Sequence, residues 1–371
     1  SKTNDVCKTT RAVRRIAIFG LGYVGVVSAA CFAGRGHSVV GVDPVEEKVG
    51  LLTAGRSPIV EEHIGELVTE AAATGRLRAT TDVGSAIDRS DIALVCVGTP
   101  STVAGGLDTT ALERVAEEIG AALRVRGRSG YTVVFRSTML PGTCEGRLVP
   151  LLEESSGLRV GSGLGVAVNP EYLREGSSVR DFHEPAKTVV GATDEATSVA
   201  VMALYDGLPG ERFHVPIRVA EMAKYVDNAF HALKVGFANE VGALSVEFGI
   251  DSHQLMEIFK SDHKLNISEA YLTPGFCFGG SCLPKDLPRF IEVDLKDLKS
   301  GESIHAADVK LPNGVSLVFH GRNKDAVFAT ASVVAEEAAA DGAPVAAAEV
   351  AASKQKAPAA AAAPAKDAKK K

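Results

Sequence analysis

The sequence predicts an α/β protein whose N-terminal part is a doubly wound parallel sheet covered by helices on both faces. Short, fully apolar runs alternate with helical patterns from Arg14 to about Val215, and a glycine-rich turn directly follows the first run. Strands that are apolar throughout are typical of a parallel sheet that is buried on both faces. We therefore predict a sheet domain at residues 14–215, preceded by a flexible N-terminus at 1–13.

Each predicted strand is a run of consecutive apolar residues. The runs read IAIFG at 16–20, VVGVD at 39–43, IALVCVG at 92–98, YTVVF at 131–135 and LGVAV at 164–168. Helices between the strands are predicted, for example, at 109–123 and 142–155. Such helices are expected because each apolar face of the sheet has to be buried against another layer.

A central helical domain is predicted next, at residues 216–287. Its main helix is expected at 217–248, and a shorter helix at 252–260 is expected to begin at a capping residue, Asp251 or Ser252. A different kind of sequence follows. Alternating runs with P-N-G and H-G-R-N turns predict a small, mostly β segment at 288–334, and the Ala-, Pro- and Lys-rich residues 335–371 predict a disordered tail.

The composition limits the classes of partner and compartment. The formal net charge of the 371 residues is −6, so no overall basic field would attract nucleic acid. No apolar run reaches the roughly 18 residues that a membrane span needs, and the polar N-terminus does not read as a signal peptide. The six cysteines show no paired spacing, which favours free thiols and a cytoplasmic location. We expect no metal site.

The glycine-rich turn is typical of a Rossmann-type dinucleotide site, because it lies between a strand and a helix. Gly20 permits the tight turn, Gly22 lets backbone amides approach a pyrophosphate, and Gly25 lets helix and strand pack closely. Asp43 ends the next apolar run, where its carboxylate would accept hydrogen bonds from the adenosine ribose. No arginine follows directly, so NAD is favoured over NADP. The alternative is a turn with a packing role only.

Polar side chains elsewhere could form a second site. Lys224, Asn228 and His231 recur at i, i+4 and i+7, so they share one helix face. Further candidates lie at a strand end and in a helix-like turn of the motif NPEYLREG; they are Ser137, Thr138, Glu171 and Glu175. Taken singly, each residue also fits a solvated surface. The argument for a site comes from their occurrence together with the cysteine described next.

Cys282 lies in the stretch GFCFGGSCLPKD, where Gly279 and Gly280 leave it unshielded and let backbone approach a ligand. Pro284 suits the first turn of a helix, and amides at a helix start favour a thiolate. This context predicts a nucleophilic cysteine. The alternative is a buried cysteine in a tight loop, which is how we interpret Cys277.

In their order along the chain, these motifs resemble the UDP-glucose/GDP-mannose dehydrogenase family of nucleotide-sugar dehydrogenases, nearest to its GDP-mannose branch. The motifs are GLGYVG, SPIVE, VCVGTPS, RSTMLPGT, NPEYLREG, EMAKYVDNAFHALKVGFANE, DHKLNIS and PGFCFGGSCLPKD, spread over about residues 14–286. The resemblance implies NAD-dependent, four-electron oxidation of a nucleotide-sugar C6 alcohol, such as GDP-mannose to GDP-mannuronate, through a cysteine thiohemiacetal and thioester. It also implies a place in polysaccharide biosynthesis and a homodimer formed through the central helix.

Residue roles follow from the family's motifs and from the residue-level arguments above. The resemblance implies a catalytic set with Cys282 as nucleophile, Lys224 to stabilise the oxyanion, Asn228 and Asp286 to orient water and alkoxide, and Thr138 and Glu171 to bind water, cofactor or substrate. The cofactor-binding set is Gly20, Gly22, Tyr23, Val24, Gly25, Asp43, Lys48, Thr99 and Thr138. The substrate-binding set is Glu175, Lys224, Asn228, His231, Asn239, Tyr271, Phe276 and Gly279.

Two stretches depart from the family's pattern. Residues 270–273 read AYLT, where the family has paired tyrosines and a substrate-contacting arginine. After Asp286 the family continues into a further helix and a third domain, whereas residues 282–334 and the tail resemble the C-terminal β domain of the CTC-type ribosomal protein that binds 5S rRNA. We interpret the chain as a fusion of two unrelated coding sequences, joined between Cys282 and Pro288.

The fusion leaves three functions open at the level of sequence. The first is the dehydrogenase, with weak or no turnover because remote nucleotide contacts from the third domain would be missing. The second is an NAD-binding module without chemistry. The third is a ribosome-associated protein acting through its C-terminal segment, and the missing RNA-binding half and the low positive charge argue against it.

Overall fold

The computed structural model describes residues 12–102, 106–269, 272, 303–305 and 327–330 of the chain. The chain divides into two compact units, 1–268 and 269–371, and each is described by itself. For 303–305 and 327–330, only the course of the backbone is described.

The first unit is built on a nine-stranded sheet. Its strands are β1 (Arg15–Phe19), β2 (Ser38–Val42), β3 (Leu77–Thr80), β4 (Ile92–Val95), β5 (Tyr131–Phe135), β6 (Arg159–Val160), β7 (Gly163–Val168), β8 (Lys187–Ala192) and β9 (Glu211–Val215). The order across the sheet is β3-β2-β1-β4-β5-β7-β8-β9, and β6 pairs with β7. All neighbouring pairs are parallel except β7 and β8. The order reverses between β1 and β4, which is where such a sheet opens a crevice.

Helices cover both faces of this sheet. They are α1 (Tyr23–Gly34), α2 (Glu46–Thr53), α3 (Ile64–Ala73), α4 (Val83–Asp88), α5 (Thr110–Arg126), α6 (Val149–Ser156), α7 (Ser178–His183), α8 (Glu195–Met202), α9 (Ile217–Glu247) and α10 (Ser252–Lys260). A π-helical turn at Cys144–Leu148 leads into α6, and a 3-10 turn at Ala203–Tyr205 follows α8. None of the helices in the described ranges combines the length and the apolarity that crossing a bilayer requires.

The core lies on both sides of the sheet, and β1 shows why. Ile16 and Ile18 belong to one buried apolar cluster, whereas Ala17 and Phe19 belong to the other. Because successive side chains of a strand point to opposite faces, a strand buried on both faces has to be apolar throughout. This confirms the doubly wound sheet that the uninterrupted apolar runs predict.

All five predicted strands are present, and several others were missed. β3 and β9 carry alternating or mostly exposed polar residues, so they lack the apolar run on which the prediction depends. β8 is apolar in its centre but begins with Lys187 and Thr188. The sheet is parallel as predicted except at one place, where β8 runs antiparallel to β7.

The long helix α9 links the sheet to the helical part of the chain. Ile217, Ala220 and Glu221 are buried near its start, whereas most of its later residues are exposed. The predicted helices at 217–248 and 252–260 are confirmed to within a residue. The cap of α10 is Asp251, whose carboxylate accepts from the amides of His253 and Gln254.

Two strands are described in the second unit. β10 (Ser303–His305) and β11 (Val327–Thr330) pair antiparallel, with an irregular register between Ile304 and His305. Both strands fall within the segment 288–334 that the sequence predicts to be mostly β.

Candidate active site

The glycine turn closes tightly between β1 and α1, at the crevice where the strand order reverses. Gly20 has a φ of +92°, which L-residues with a side chain rarely adopt. A Cβ on Gly25 would lie 1.8 Å from the carbonyl oxygen of Gly20. These two positions therefore require glycine for the backbone itself, whatever binds nearby.

Gly22 is different, because a Cβ there would meet no atom of the described residues within 4 Å. It lines a cavity of about 470 Å³ together with Gly20, Asp43, Lys48 and Cys96. The first turn of α1 has no acidic residue, and none of the side chains that the structure describes caps it. The first amides of a helix have no intrahelical acceptor and favour an anion. The open space at Gly22 and the uncapped turn fit the pyrophosphate of a dinucleotide.

Asp43 directly follows β2 at the rim of this cavity, and it is only 5% exposed. Its carboxylate accepts from the amide of Leu21 at 2.7 Å, from the amide of Val45 at 3.0 Å and from Lys48 Nζ at 3.3 Å. These contacts hold the carboxylate at the end of β2, where a ribose hydroxyl could donate to it.

The predicted cofactor residues are brought together. Gly20, Gly22, Asp43 and Lys48 line the cavity, while Tyr23, Val24 and Gly25 form the adjoining first turn of α1. Thr99 and Thr138 meet after β4 and β5, where the Thr99 hydroxyl donates to the Thr138 carbonyl at 2.8 Å. Residues of this chain therefore fit NAD in shape and in charge.

A second cavity, of about 520 Å³, gathers the polar residues of the other predicted set. Glu171, Lys224, Asn228 and His231 line it. Lys224 Nζ lies 3.1 Å from Glu171 Oε1, and the two side chains are only 12% and 14% exposed. The face of α9 that the i, i+4, i+7 spacing predicts is thus the face that lines the cavity.

Sequence reasoning missed a neighbouring ion pair in this cavity. Lys187 of β8 lies 2.7 Å from an oxygen of Asp227 in α9. The ring of Tyr172 lies near both ammonium groups, with its centroid 4.7 Å from Lys187 Nζ and 5.4 Å from Lys224 Nζ. Burial raises the pKa of the Tyr172 hydroxyl, so it stays protonated. No periodicity connects Lys187 with α9, so the sequence carried no signal for this pair.

Arg136 was also missed, although a charged residue directly after a buried strand is a recognisable signal. It is 5% exposed, and its Nη1 donates to Asn169 Oδ1 at 2.7 Å and to the Tyr205 hydroxyl. Asn169 in turn donates to the Val189 carbonyl at 2.8 Å. This buried network fixes the start of the NPEYLREG motif beneath the cavity.

The linings of the two cavities approach each other at the ends of β4 and β5, although no residue that the structure describes lines both. Arg136 lines the second cavity, and its amide donates to the carbonyl of Val95, the last residue of β4, at 2.9 Å. Cys96, the next residue, lines the first cavity. Burial raises the pKa of its thiol, and the positive charge of Arg136 acts in the opposite direction. The ends of β4 and β5 therefore connect the two cavity linings.

Other predicted residues lie outside these cavities or outside the described ranges. Glu175 and Asn239 are exposed and line neither cavity. The predicted helix-like turn around Glu171 and Glu175 is wrong: residues 171–174 are irregular, and Glu171 Oε2 accepts from the Leu173 amide at 2.7 Å. The predictions that fall outside the described residues concern Tyr271, Phe276, Gly279, Cys282 and Asp286.

Comparison with protein families gives three matches. Residues 14–208 match the UDP-glucose/GDP-mannose dehydrogenase family, NAD binding domain, and residues 218–304 match the central domain of the same family. Residues 281–336 match the ribosomal protein TL5, C-terminal domain. The last two matches overlap between 281 and 304.

Individual relatives agree with the first two matches. The chain is 48% identical over 273 residues to a GDP-mannose 6-dehydrogenase of Pseudomonas putida, covering 74% of this chain and 62% of the relative. It is 41% identical over 281 residues to a UDP-glucose 6-dehydrogenase of Haloferax volcanii, covering 74% and 64%. A ternary complex of GDP-mannose dehydrogenase from Pseudomonas aeruginosa superposes with a TM-score of 0.72 at 46% identity, covering 73% and 62%. The chain thus spans less than two thirds of these relatives.

Proposed function

Because the chain belongs to the UDP-glucose/GDP-mannose dehydrogenase family, we propose that it oxidises the C6 alcohol of a nucleotide sugar to the carboxylate, with GDP-mannose as substrate. The family's NAD-binding domain is present at residues 14–208, so NAD is the cofactor. The observation that carries the proposal is the shielded pair of Lys224 and Glu171, in a cavity whose lining neighbours that of the cofactor cavity. A fixed ammonium is most effective where negative charge develops in a site that excludes water.

In the proposed reaction, NAD would accept a hydride in each of two oxidations. The chain's own residues would do the rest. Lys224 would stabilise the oxyanion, and Asn228 and Asp286 would orient alkoxide and water. The Cys282 thiolate would add to the aldehyde carbon, giving a thiohemiacetal whose oxidation yields a thioester. Water then cleaves the carbon–sulfur bond, releasing the carboxylate and the thiol. The balance is one alcohol, two NAD⁺ and one water converted to one carboxylate, two NADH and three protons.

The test combines the chain with GDP-mannose and NAD and follows NADH absorbance. Two NADH are expected for each sugar consumed, and Cys282→Ser should abolish carboxylate formation. Cys277→Ser is the matched control, since the proposal gives that thiol no role. Unchanged carboxylate formation in Cys282→Ser would refute the mechanism. A rise in melting temperature with NAD but no oxidation of any nucleotide sugar would leave an NAD-binding module. The expectation of weak turnover stays a prediction of the sequence.

We also propose that α9 pairs with a second copy of the chain. Large apolar side chains are exposed along much of its length, including Val226 at 52%, Leu233 at 67% and Val246 at 82%. A helix with this much exposed apolar surface is typical of one that is covered by a partner. A nucleic-acid partner is not part of the proposal, since the charge argument above disfavours it.

The proposed location is the cytoplasm. The described cysteines Cys31, Cys96 and Cys144 are free and buried. Free thiols are typical of proteins in a reducing compartment.

A further inference from the structure

We propose that Glu61 is a positioning residue that couples binding in the cofactor cavity to the arrangement of the second cavity. The inference rests on the proposed function only for the identity of the ligands. Glu61 lies in the SPIVE motif, to which neither predicted site assigns a role. Its carboxylate joins two segments that are far apart in sequence.

The geometry is a carboxylate with three donors. Glu61 Oε2 accepts from the Tyr23 hydroxyl and from the Gly176 amide at 2.8 Å, and Oε1 accepts from the Ser178 amide at 3.1 Å. The hydrogen bond from Tyr23 lowers the pKa of Glu61, so the carboxylate is ionised at neutral pH. A charged acceptor with three donors strongly favours one arrangement of the segments that supply them.

One end of this connection belongs to the cofactor cavity. Tyr23 is the first residue of α1, so its amide is among those available to a pyrophosphate. An anion bound at this turn fixes the backbone of Tyr23 and therefore the direction of its side chain. The hydroxyl of that side chain is the donor to Glu61.

The other end adjoins the loop that lines the second cavity. Gly176 and Ser178 lie at the start of α7, immediately after the loop that carries Glu171. In that loop the Leu173 amide donates to Glu171 Oε2 at 2.7 Å, and Glu171 Oε1 pairs with Lys224 at 3.1 Å. Tyr23 and Leu173 also pack on the same apolar cluster. The cofactor turn is therefore connected to Lys224 through the hydrogen bonds of Glu61, the short segment 173–178 and the hydrogen bonds of Glu171.

A second reading gives Glu61 only a local role, as a cap for the short helix α7. Under that reading its loss lowers stability but leaves communication between the cavities unchanged. Coupling instead requires that NAD binding changes the amide exchange rates of residues near 174–182, and that this change depends on Glu61. Amide hydrogen exchange measures this without any sugar or turnover, so the result is independent of whether the proposed reaction occurs.

The experiment measures exchange at residues 174–182 of the full chain, with and without saturating NAD, in wild type, Glu61→Gln and Tyr23→Phe. Glu62→Gln is the matched control, because that neighbouring carboxylate is exposed and, among the described residues, approaches only His63, at 3.5 Å. NAD should slow exchange at least fivefold in wild type and control, and less than twofold in both variants; coupling of this size is common between sites.

Equal protection by NAD in wild type and in the folded variants would overturn the proposal, as would absence of protection in wild type. If Glu61→Gln does not fold, Tyr23→Phe decides, since it removes only the hydroxyl. Loss of protection in Tyr23→Phe, at saturating NAD, supports coupling through the Glu61 contact. A lower melting temperature with intact protection identifies a cap and refutes the coupling.

Discussion

Lys224 and Glu171 hold each other in a position that bulk water hardly reaches, and this raises the effect of the ammonium charge. Their separation of 3.1 Å and low exposure place them between a surface pair and a fully buried one. Charges in such surroundings act more strongly on a nearby developing charge than charges in water do. The neighbouring pair of Lys187 and Asp227 limits the net charge of the cavity.

Replacing Lys224 by Met should lower turnover of GDP-mannose by about a hundredfold or more, because a preorganised charge that stabilises an oxyanion contributes effects of this size. Lys224→Arg should retain part of the activity. The matched control is Lys234→Met on the same helix, since Lys234 is exposed and lies over the Phe230 ring, outside the second cavity. Steady-state rates measured alongside melting temperatures separate catalysis from stability. Similar losses in Lys224→Met and Lys234→Met would contradict the assigned role.

Several site residues could be predicted individually, and others could not. Gly20, Gly22 and Asp43 follow from a local pattern of strand, turn, helix and strand, and Lys224, Asn228 and His231 follow from helical spacing. Lys187 and Asp227 meet only because β8 packs beside α9, and no local pattern encodes that contact. Glu61 lies in an irregular loop, so its three donors could be found only from the folded chain.

At the scale of elements, α1 approaches β1 closely at one glycine of the turn and not at another. The two glycines therefore differ in whether they can be replaced by a residue with a side chain. A methyl group on Gly25 would collide with the Gly20 carbonyl at 1.8 Å, whereas one on Gly22 would point into open space. Gly22 has a φ of −81°, so alanine fits its backbone. The first substitution should damage packing, and the second should damage only the cofactor cavity.

We therefore expect Gly22→Ala to keep the wild-type melting temperature within a few degrees and to weaken NAD affinity about tenfold, a loss of about 1.4 kcal/mol. Gly25→Ala should lower the melting temperature by about 5 °C or more, because the helix has to move away from the turn. Thermal unfolding and NAD titration of both variants test the pair. Comparable destabilisation by both substitutions would show that the motif serves packing alone.

The amino ends of three neighbouring strands are tied by Asp91. Arg15, at the start of β1, donates to Asp91 through Nε at 2.8 Å, and Arg128, ahead of β5, lies 3.3 Å from it. The hydrogen bond from Arg15 is the main cause that lowers the pKa of Asp91 below its ordinary value of 3.8. A carboxyl group whose pKa is lower in the folded chain than in the unfolded chain stabilises the fold at pH values above its unfolded pKa. This stabilisation is lost as the pH falls through the folded pKa.

In Asp91→Asn, the free energy of unfolding should therefore decrease less steeply than in wild type as the pH drops below about 4, because the variant has no such carboxylate to protonate. At neutral pH it should be less stable than wild type by a modest amount, since Asp91 is half exposed and screened by solvent. Denaturant titrations at several pH values measure the slope. Glu117→Gln is the control, since Glu117 is exposed on α5. Parallel pH curves for Asp91→Asn and wild type would contradict the assignment.

For the fold, apolar runs were enough to predict β1, β2, β4, β5 and β7, which are buried on both faces. The runs could not predict β9, because an edge strand with mostly exposed side chains needs no apolar pattern. The antiparallel pairing of β7 and β8 was equally hidden, since strand direction depends on how the chain returns to the sheet. Central strands are therefore the part of such a fold that composition encodes most directly.

At the scale of the whole molecule, α9 has two different surroundings along its length. Its first turn is held by Glu221, whose carboxylate accepts from the Gly142 amide at 2.6 Å and from the Cys144 amide at 2.8 Å. Farther along, exposed apolar side chains dominate, Phe237 among them at 46%. The helix is thus anchored to the sheet at one end and available to a partner over the rest.

Leu233→Asp should shift the chain from dimer to monomer at micromolar concentration, because a desolvated charge at the centre of an apolar interface costs several kcal/mol. Sedimentation velocity of wild type and variant measures the change. Val125→Asp is the matched control, since Val125 is 83% exposed on α5, away from this helix. A wild-type chain that is monomeric at high concentration, or a variant that remains dimeric, would rule out the proposed interface.

The alternation of β1 between two cores has a consequence for how this protein can change. Inserting a single residue early in β1 would exchange the side chains of Ile16 and Ile18 with those of Ala17 and Phe19. The same insertion would rotate the strand end from which the glycine turn begins. A homologue with an insertion or deletion in β1 would need compensating changes in both the core and the cofactor turn. Insertions and deletions should therefore accumulate in the outer loops instead.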